Sequence, residues 1–565
     1  MVSKIYSGLA AIASVLLVSH GAYGQTVPST VDPGSLQRGI QSSGDKKPIV
    51  PGPTAVPNAA PTVVVPEGAE NLSFVLRSIS LDGGSVYGDA ELQKLVSSRL
   101  GGSISVEEVF KFAAAMTARY RNDGYVLSRV IVPPQKIDDG EVVLKAVEGY
   151  VDSVKVEGLT SAKESAVLGY LEKLVGQRPL RKNVLERYML LVDDLPGVSL
   201  KAFFEPSPNN SGASTITVKV VEKKFDVWSR ADNRGSDFVG PYRVEVGGVY
   251  NSLTPIGTSV TGRMLTTPLQ NEELRYAGFS LSREVDKEGS AIIIGANGMT
   301  SEPGGSLMKT LDIKSDSFGA NVGIRIKPLR SRNKNLTLNL SAAASQSTTQ
   351  ALGFDLSEDA SRQVRAAGEF QLSDRFFGAT SFNVGLNQGL SIIGATKKGD
   401  VLQSRANADP GAFWVDAGVS RLQSIGRGFL VLASVKGQYS LDPLSSAREF
   451  GVGGEGSGSA FDSSEYAGDH GVSGRMELRY SDSLPVRGVE SGFQGYLFGD
   501  GGAVWQEGSP NGQTNDKIAS AGVGVRFNVG EHFSGNVEVA QPFVREVSAR
   551  GDKMPRVFFG LIGRF

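Results

Sequence analysis

From Phe225 to Phe565 hydrophobic and polar positions alternate with a period of two, in segments such as YRVEVGGVYNSL, ELRYAGFSLSRE, NLTLNLSAAAS and FLVLASVKGQYSL. Clusters of Gly, Pro, Asn and Asp separate the segments, the punctuation of turns between half-buried strands. About sixteen segments share the 341 residues from 225 to 565, or roughly 21 residues each. That matches a membrane-crossing strand of about 9 to 11 residues plus its connection. An even number returns both ends to one side. The pattern predicts a 16-stranded antiparallel transmembrane β-barrel over residues 224–565; a soluble β-sandwich or propeller is the alternative. The chain end, VFFGLIGRF, separates them. Val557, Phe559, Leu561 and Phe565 fall on one face of a terminal strand, as expected where lipid lies outside and closure leaves no edge. Phe559, Leu561 and Phe565 are the expected barrel-assembly signal.

Between residues 71 and 223 the period changes. Two units, 71–149 and 150–223, each read strand, helix, helix, strand, strand: an α+β pattern built twice. LSFVLRSISLDG opens the first as one alternating strand and VDSVKVEGL opens the second. Such a unit leaves a sheet edge beside a helix, a surface suited to adding an extended strand from a partner. Residues 25–46 hold DPGSLQRGIQSSG, a possible short helix with Asp32 as cap and Pro33 at its first position. Residues 47–70 are Pro-rich and predict an extended spacer at about 3.1 Å per residue. The first 24 residues have Lys4, the apolar run GLAAIASVLLV and small residues at Ala22 and Gly24. They read as a signal peptide cleaved after Gly24, since a membrane helix needs about 20 apolar residues.

Composition narrows the function. A net charge of −1 and 70 glycines do not suit nucleic-acid binding, and the chain has no cysteine for a disulfide or thiolate site. With only His20, His470 and His532, and no GxSxG, HExxH or Walker lysine loop, no catalytic, cofactor-binding or metal-binding residue is expected, and the chain is read as a non-enzyme. The run GVGGEGSGSAF, residues 451–461, lies between two predicted strands. A phosphate cradle needs a strand before and a helix after it, so the five glycines point to a sharply turning, closely packed loop.

The sequence resembles the outer-membrane transporters of two-partner secretion (TpsB), typified by the filamentous haemagglutinin transporter and the haemolysin activator. The likeness lies in GYVLSRVIVPPQKIDDGEVVLKAVEG (124–149), in ADNRGSDFVGPYR (231–243) and in ASAGVGVRFNVGEHFSGNVEVAQPF (519–543). It implies that residues 71–149 and 150–223 are POTRA domains in the periplasm, that 25–46 carry a plug helix, and that the barrel lies in the outer membrane. Gly124, Tyr125, Pro134, Gln135 and Gly140 are then candidates for partner binding. The implied partner is a large secreted exoprotein, a β-helical adhesin, cytolysin or haem- or iron-binding protein, conducted unfolded without nucleotide hydrolysis. Outer-membrane lipid, the barrel-assembly machinery and periplasmic chaperones are the further implied partners. No nucleic acid and no cofactor are.

In that family a long loop between strands eleven and twelve folds into the pore, and an arginine at its tip meets an aspartate in the wall. Here residues 442–471 are that loop by resemblance, with Gly453, Gly454, Ser457, Ser459 and Phe461 toward its tip. The arginine position is Ser459. The aspartate is Asp500, flanked by Phe498 and Gly502 in LFGDGGAVW. Two unit charges 4 Å apart attract by about 4 kcal/mol at an effective dielectric of 20, so Asp500 needs another donor. Arg475, or the hydroxyls of Ser457 and Ser459, are the candidates. A literal Val486-Arg487-Gly488 falls in the predicted periplasmic turn between strands twelve and thirteen. Two other readings stay open at this level: an outer-membrane assembly factor (insertase) of the same POTRA-barrel superfamily, and a passive channel or receptor.

Overall fold

A computed structural model describes residues 29, 31–42, 65–210, 212–254, 257–269, 273–483, 489–507 and 515–565. The signal peptide, most of the Pro-rich spacer and Val486-Arg487-Gly488 lie outside them.

Helix α1 (Pro33–Ser42) comes first. The Asp32 carboxylate accepts from Ser35 N–H at 2.8 Å, satisfying one of the donors a helix start leaves unpaired. The first α+β unit follows as β1 (Ser73–Val75), β2 (Ser78–Asp82), α2 (Asp89–Val96), β3 (Ser103–Ser105), α3 (Val106–Asn122), β4 (Arg129–Ile131) and β5 (Glu141–Val147). Its sheet runs β2-β5-β4, and β1 pairs separately with β3. The single strand expected over LSFVLRSISLDG is therefore two. The chain changes partner at Leu76, whose N–H donates to Gly102 O, while Arg77 and Ser78 N–H turn to Gly140 O. A capping box, Ser105 with Glu108, starts α3, which buries Val109, Ala113, Met116 and Tyr120 on one face.

The second unit repeats the order with β6 (Tyr150–Glu157), α4 (Ser161–Leu171), α5 (Lys182–Asp193), β7 (Val198–Pro206) and β8 (Ala213–Glu222). Its sheet runs β6-β8-β7 over a core that includes Tyr170, Leu171, Leu185 and Ile216.

Sixteen strands then close a barrel: β9 (Phe225–Asp232), β10 (Arg243–Ser252), β11 (Thr258–Thr266), β12 (Leu274–Glu284), β13 (Ala291–Ser301), β14 (Lys314–Arg330), β15 (Lys334–Ala351), β16 (Phe354–Ser373), β17 (Gly378–Gly389), β18 (Phe413–Gly426), β19 (Phe429–Ser440), β22 (His470–Ser483), β23 (Ser491–Trp505), β24 (Asn515–Val529), β25 (Phe533–Pro542) and β26 (Arg556–Arg564). A short hairpin, β20 (Phe450–Val452) with β21 (Tyr466–Gly468), lies inside the long loop and was not expected. Each strand alternates between lipid and lumen: Val557, Phe559 and Leu561 are exposed outside, while Phe558 is buried inside. Residues 560–564 of β26 pair with β9, and Phe565 exchanges both backbone hydrogen bonds with Val227, so the last residue helps close the seam. Among the described residues no helix is long and apolar enough to cross a membrane.

The second α+β unit is bolted to the barrel turns. Arg187 donates to Glu288 Oε2 at 3.0 Å and to the Lys327 carbonyl at 3.1 Å. Tyr170 and Tyr188 donate to the Asp286 carbonyl and to Glu288, at 2.9 and 2.8 Å. Asp194 receives Lys327 and Arg330, each at 2.8 Å. Burial pushes the Asp194 carboxyl up, but Arg330 and Lys327 more than offset it and hold it below the usual aspartate range.

Candidate functional site

The long loop leaves β19, turns in through the barrel and carries its tip to the inner faces of β22 to β26. Four glycines at positive φ, Gly453, Gly454, Gly456 and Gly458, make the turn possible. Gly453 has φ +112°, and a Cβ there would meet the Asp462 carbonyl at 2.2 Å; Gly458 has φ +128°, and its Cβ would strike Ile518 at 2.5 Å. Phe461 then buries its ring in a cluster that includes Val452, Tyr496, Phe498, Ile518 and Phe558. Glycines of β24 leave room for the wall rings: a Cβ at Gly522 would lie 2.8 Å from the Phe498 ring.

At the tip Ser459, fully buried, gives both donors to Asp500: its N–H at 3.0 Å and its hydroxyl at 2.5 Å. Arg475 on β22 donates to the same carboxylate at 2.8 Å and to Ser459 Oγ at 2.5 Å. Ser520 donates to it from β24. Asp500 and Arg475 are direct neighbours across the β22–β23 ladder, so strand register alone places the pair side by side. The guanidinium thus comes from the wall instead of the loop. Ser457 is not part of this group, because its hydroxyl turns back to Gly453 O at 2.9 Å.

Arg475 also reaches Glu477 at 2.5 Å and Glu538 at 3.2 Å. Two further arginines grip the loop backbone, and sequence reasoning gave them no role. Arg234 donates to the Ser459 carbonyl at 3.0 Å and Arg556 to the Ala460 carbonyl at 3.0 Å. Arg556 had a readable signal: the outward register of Val557, Phe559 and Leu561 puts it on the lumenal face of the last strand. Removing one partner of such a buried group strands the others uncompensated, at a cost of about 3–5 kcal/mol.

The base of the loop is clasped near the extracellular mouth. Arg405, 2 % exposed, donates to Asp469 at 2.6 and 3.0 Å and to Gln506 at 2.5 Å, and lies 3.1 Å from Glu449. The Asp469 carboxylate also accepts from Leu444 and Glu507 N–H. No sequence pattern pointed to this clasp, whose members lie tens of residues apart.

Helix α1 stands in the lumen against β13, β14 and β15. Ser446 donates to Asp32 at 2.8 Å, Ser29 to the Glu465 carbonyl at 3.0 Å and Ser317 to Gln37 at 3.2 Å. Val31 and Ile40 share an apolar cluster with Val239, Leu265, Leu274 and Met299. Beside the helix a polar cavity of 890 Å³ remains.

The partner-binding candidates of the first unit separate. Tyr125 is 8 % exposed and stacks edge-on against Tyr120, so it serves the core and presents no docking surface. Gln135 replaces a missing strand: its amide donates to Val143 O and accepts from Val143 N–H, both at 2.8 Å, continuing the ladder beyond β4. Gly140 (φ +75°) passes so close to Val75 that a Cβ would sit 2.0 Å from its carbonyl. Pro134 lies exposed beside Gln135, and Gly124 (φ +95°) ends the turn after α3.

Paired α+β units under a closed barrel with an occupied lumen define an outer-membrane transporter of the POTRA-plus-barrel class. Residues 74–149 match the family model "POTRA domain, ShlB-type", and residues 299–527 match "Haemolysin secretion/activation protein ShlB/FhaC/HecB". The heme/hemopexin transporter protein HuxB of Haemophilus influenzae strain 86-028NP is 23% identical over 559 residues, 95% of each chain. The fold is also that of CdiB from Escherichia coli, with a TM-score of 0.69, 18% identity and coverage of 90% of this chain and 94% of that one. CdiB from Acinetobacter baumannii gives 0.64 at 14% identity, covering 95% of this chain and 99% of that one. The chain belongs to the two-partner secretion transporters (TpsB), outer-membrane barrels with periplasmic POTRA domains that carry a large secreted partner exoprotein.

Proposed function

We propose that the POTRA domains take up the partner as an unfolded chain by adding one of its segments as a β-strand, and pass it to the lumen without nucleotide hydrolysis. The observation that carries this is a matching sheet edge in the two units: β4 beside α3 in the first, and the nine-residue β7 beside α5 in the second, each with no strand on its outer side among the described residues. A free edge of that length offers main-chain hydrogen bonds with little demand on sequence, as a transporter of long unfolded chains requires. Helix α1, filling the lumen, leaves for passage. Folding of the partner outside buries its apolar surface and opposes return, giving the passage direction.

The chain is in this reading a conduit and not an enzyme. The likeness to HuxB over nearly all of both chains favours a haem-related cargo among the three classes left open. Periplasmic chaperones keep that cargo unfolded, and the barrel-assembly machinery inserts the barrel among outer-membrane lipids. Deleting residues 72–148 and measuring partner in the medium tests the capture step: secretion is expected to stop while the barrel still inserts, and secretion at the normal level overturns the step.

A further inference from the structure

On the periplasmic side, strands β14 to β19 are joined by three short turns, residues 331–333, 374–377 and 427–428. Hydrogen bonds stitch them into one arc. Ser373 N–H donates to Asn333 O at 2.8 Å and Ser424 N–H to Phe377 O at 3.1 Å, while Gln423 Nε2 donates to Phe376 O at 2.6 Å. The arc carries Arg332, Lys334, Arg375 and Arg427, none with a carboxylate partner among the described residues, since Asp374 is taken by Arg421 at 2.8 Å. Arg332 Nη2 is shut off from water and meets no acceptor there. Beside these cations stand Phe376, Phe377 and Ile425, which are 63, 83 and 59 % exposed. Arg375 lies over the Phe376 ring, 5.0 Å from its centre. Phe377 and Arg427 both have left-handed backbone, at φ +61° and +54°, a conformation that side chains of this size rarely adopt, and both end exposed.

We infer that this arc binds the headgroups of anionic glycerophospholipids of the periplasmic leaflet, its four cations facing their phosphates while Phe376, Phe377 and Ile425 lie against the glycerol and upper acyl chains. The level fits. On the outer faces of β17 to β19, Phe382, Val384, Val419 and Val435 are exposed to lipid, and in the same register Arg421 and Gln423 follow toward the turns. The apolar band therefore ends just above the arc. A guanidinium without a carboxylate partner at a membrane edge is satisfied by phosphate, through charge-assisted and often bidentate hydrogen bonds. An ethanolamine headgroup brings its own ammonium into this row of cations, whereas a glycerol headgroup does not, so the arc selects lipid of net negative charge. Dissolved phosphate or an acidic peptide would use the cations and leave the rings in water. Lys327 and Arg330, at the start of the same arc, hold Asp194 of the second POTRA domain, so the bound lipid borders that joint.

The intact purified protein is titrated in detergent with phosphatidylglycerol and, separately, with phosphatidylethanolamine of the same acyl chains, and bound lipid is counted by native mass spectrometry. Normal heat-modifiable migration shows that each variant is folded. Phosphatidylglycerol is expected to bind more tightly, and each of Arg332→Gln, Lys334→Gln, Arg375→Gln and Arg427→Gln to lower that preference about fivefold. The quadruple variant is expected to have none. Lys397→Gln with Lys517→Gln removes two exposed cations from the extracellular side and is expected to leave the preference unchanged. Phe376→Ser with Phe377→Gly is expected to weaken both lipids alike, and excess sn-glycerol 3-phosphate to displace neither. Equal binding of the two lipids by the wild type, a preference that survives the quadruple variant, or its loss in the extracellular control overturns the inference. Displacement by sn-glycerol 3-phosphate overturns it in favour of a site for soluble anions. A quadruple variant that keeps its lipid preference and no longer binds the partner exoprotein overturns it in favour of cargo.

Discussion

The ionic joint at the loop tip, inside the barrel, and the one beneath the barrel differ in burial. At the loop tip Asp500 and Arg475 have side chains 0 and 5 % exposed, within a group where every carboxylate has a guanidinium or hydroxyl partner. Under the barrel Arg187 and Glu288 have side chains 21 and 43 % exposed. Coulomb attraction is strong only where water is excluded, and breaking a pair is costly only where its orphan stays buried. The loop latch is thus a nearly all-or-none lock. The joint of the second α+β unit is less buried than the latch and is spread over Arg187, Tyr170, Tyr188 and Asp194, with its Arg187–Glu288 pair the most open to screening.

Breaking the latch at its centre has the largest expected effect. Arg475→Ala leaves Glu477, Asp500 and Glu538 facing one another with less compensation, a loss of about 3–5 kcal/mol of loop docking. Single-channel recording is expected to show larger and more frequent openings; wild-type conductance would mean that Arg234 and Arg556 suffice. Asp500→Ala comes next, at about 2–3 kcal/mol, because Ser459 loses its acceptor while Arg475 keeps Glu477 and Glu538. Proteolysis of residues 451–461 in the intact barrel reads this directly, and an unchanged cleavage rate counts against the latch.

The joint below the barrel should respond less and depend on salt. Arg187→Ala is expected to cost about 1 kcal/mol, given the exposure of Glu288, and to widen the distance distribution between spin labels on the second POTRA domain and the barrel. High salt should mimic it in the wild type and leave the loop latch intact. The smallest effect is that of pH. Asp194 has its carboxyl lowered when docked, so the docking it supplies is complete above the free aspartate value of about 3.9 and disappears only as pH falls through the lower docked value. The same spin-label distances should be flat from about pH 8 to pH 5 and broaden only in stronger acid.

The barrel was legible because lipid and lumen impose a period of two on every strand, and Val557, Phe559 and Leu561 display it plainly. The start of α1 was legible from Asp32 and Pro33, since capping is local chemistry. The site was legible by halves. Resemblance pointed to Asp500 and to a serine in place of the loop arginine, and reach pointed to Arg475 and Ser459. Ser457 and Tyr125 could not be placed, because which way a loop hydroxyl turns and which ring fills a core depend on packing. The β20–β21 hairpin and the Arg405 clasp left no trace in any local window, since their partners meet only once the loop has entered the barrel.

The central claim is best tested in proteoliposomes holding the purified protein with its POTRA domains outward, given a denatured partner exoprotein by rapid dilution and no nucleotide. The account predicts that the partner becomes protected from added protease inside the vesicles, and that the protein lacking residues 72–148 leaves it degraded. Equal protection by the truncated protein, or protection that requires nucleotide, would contradict it.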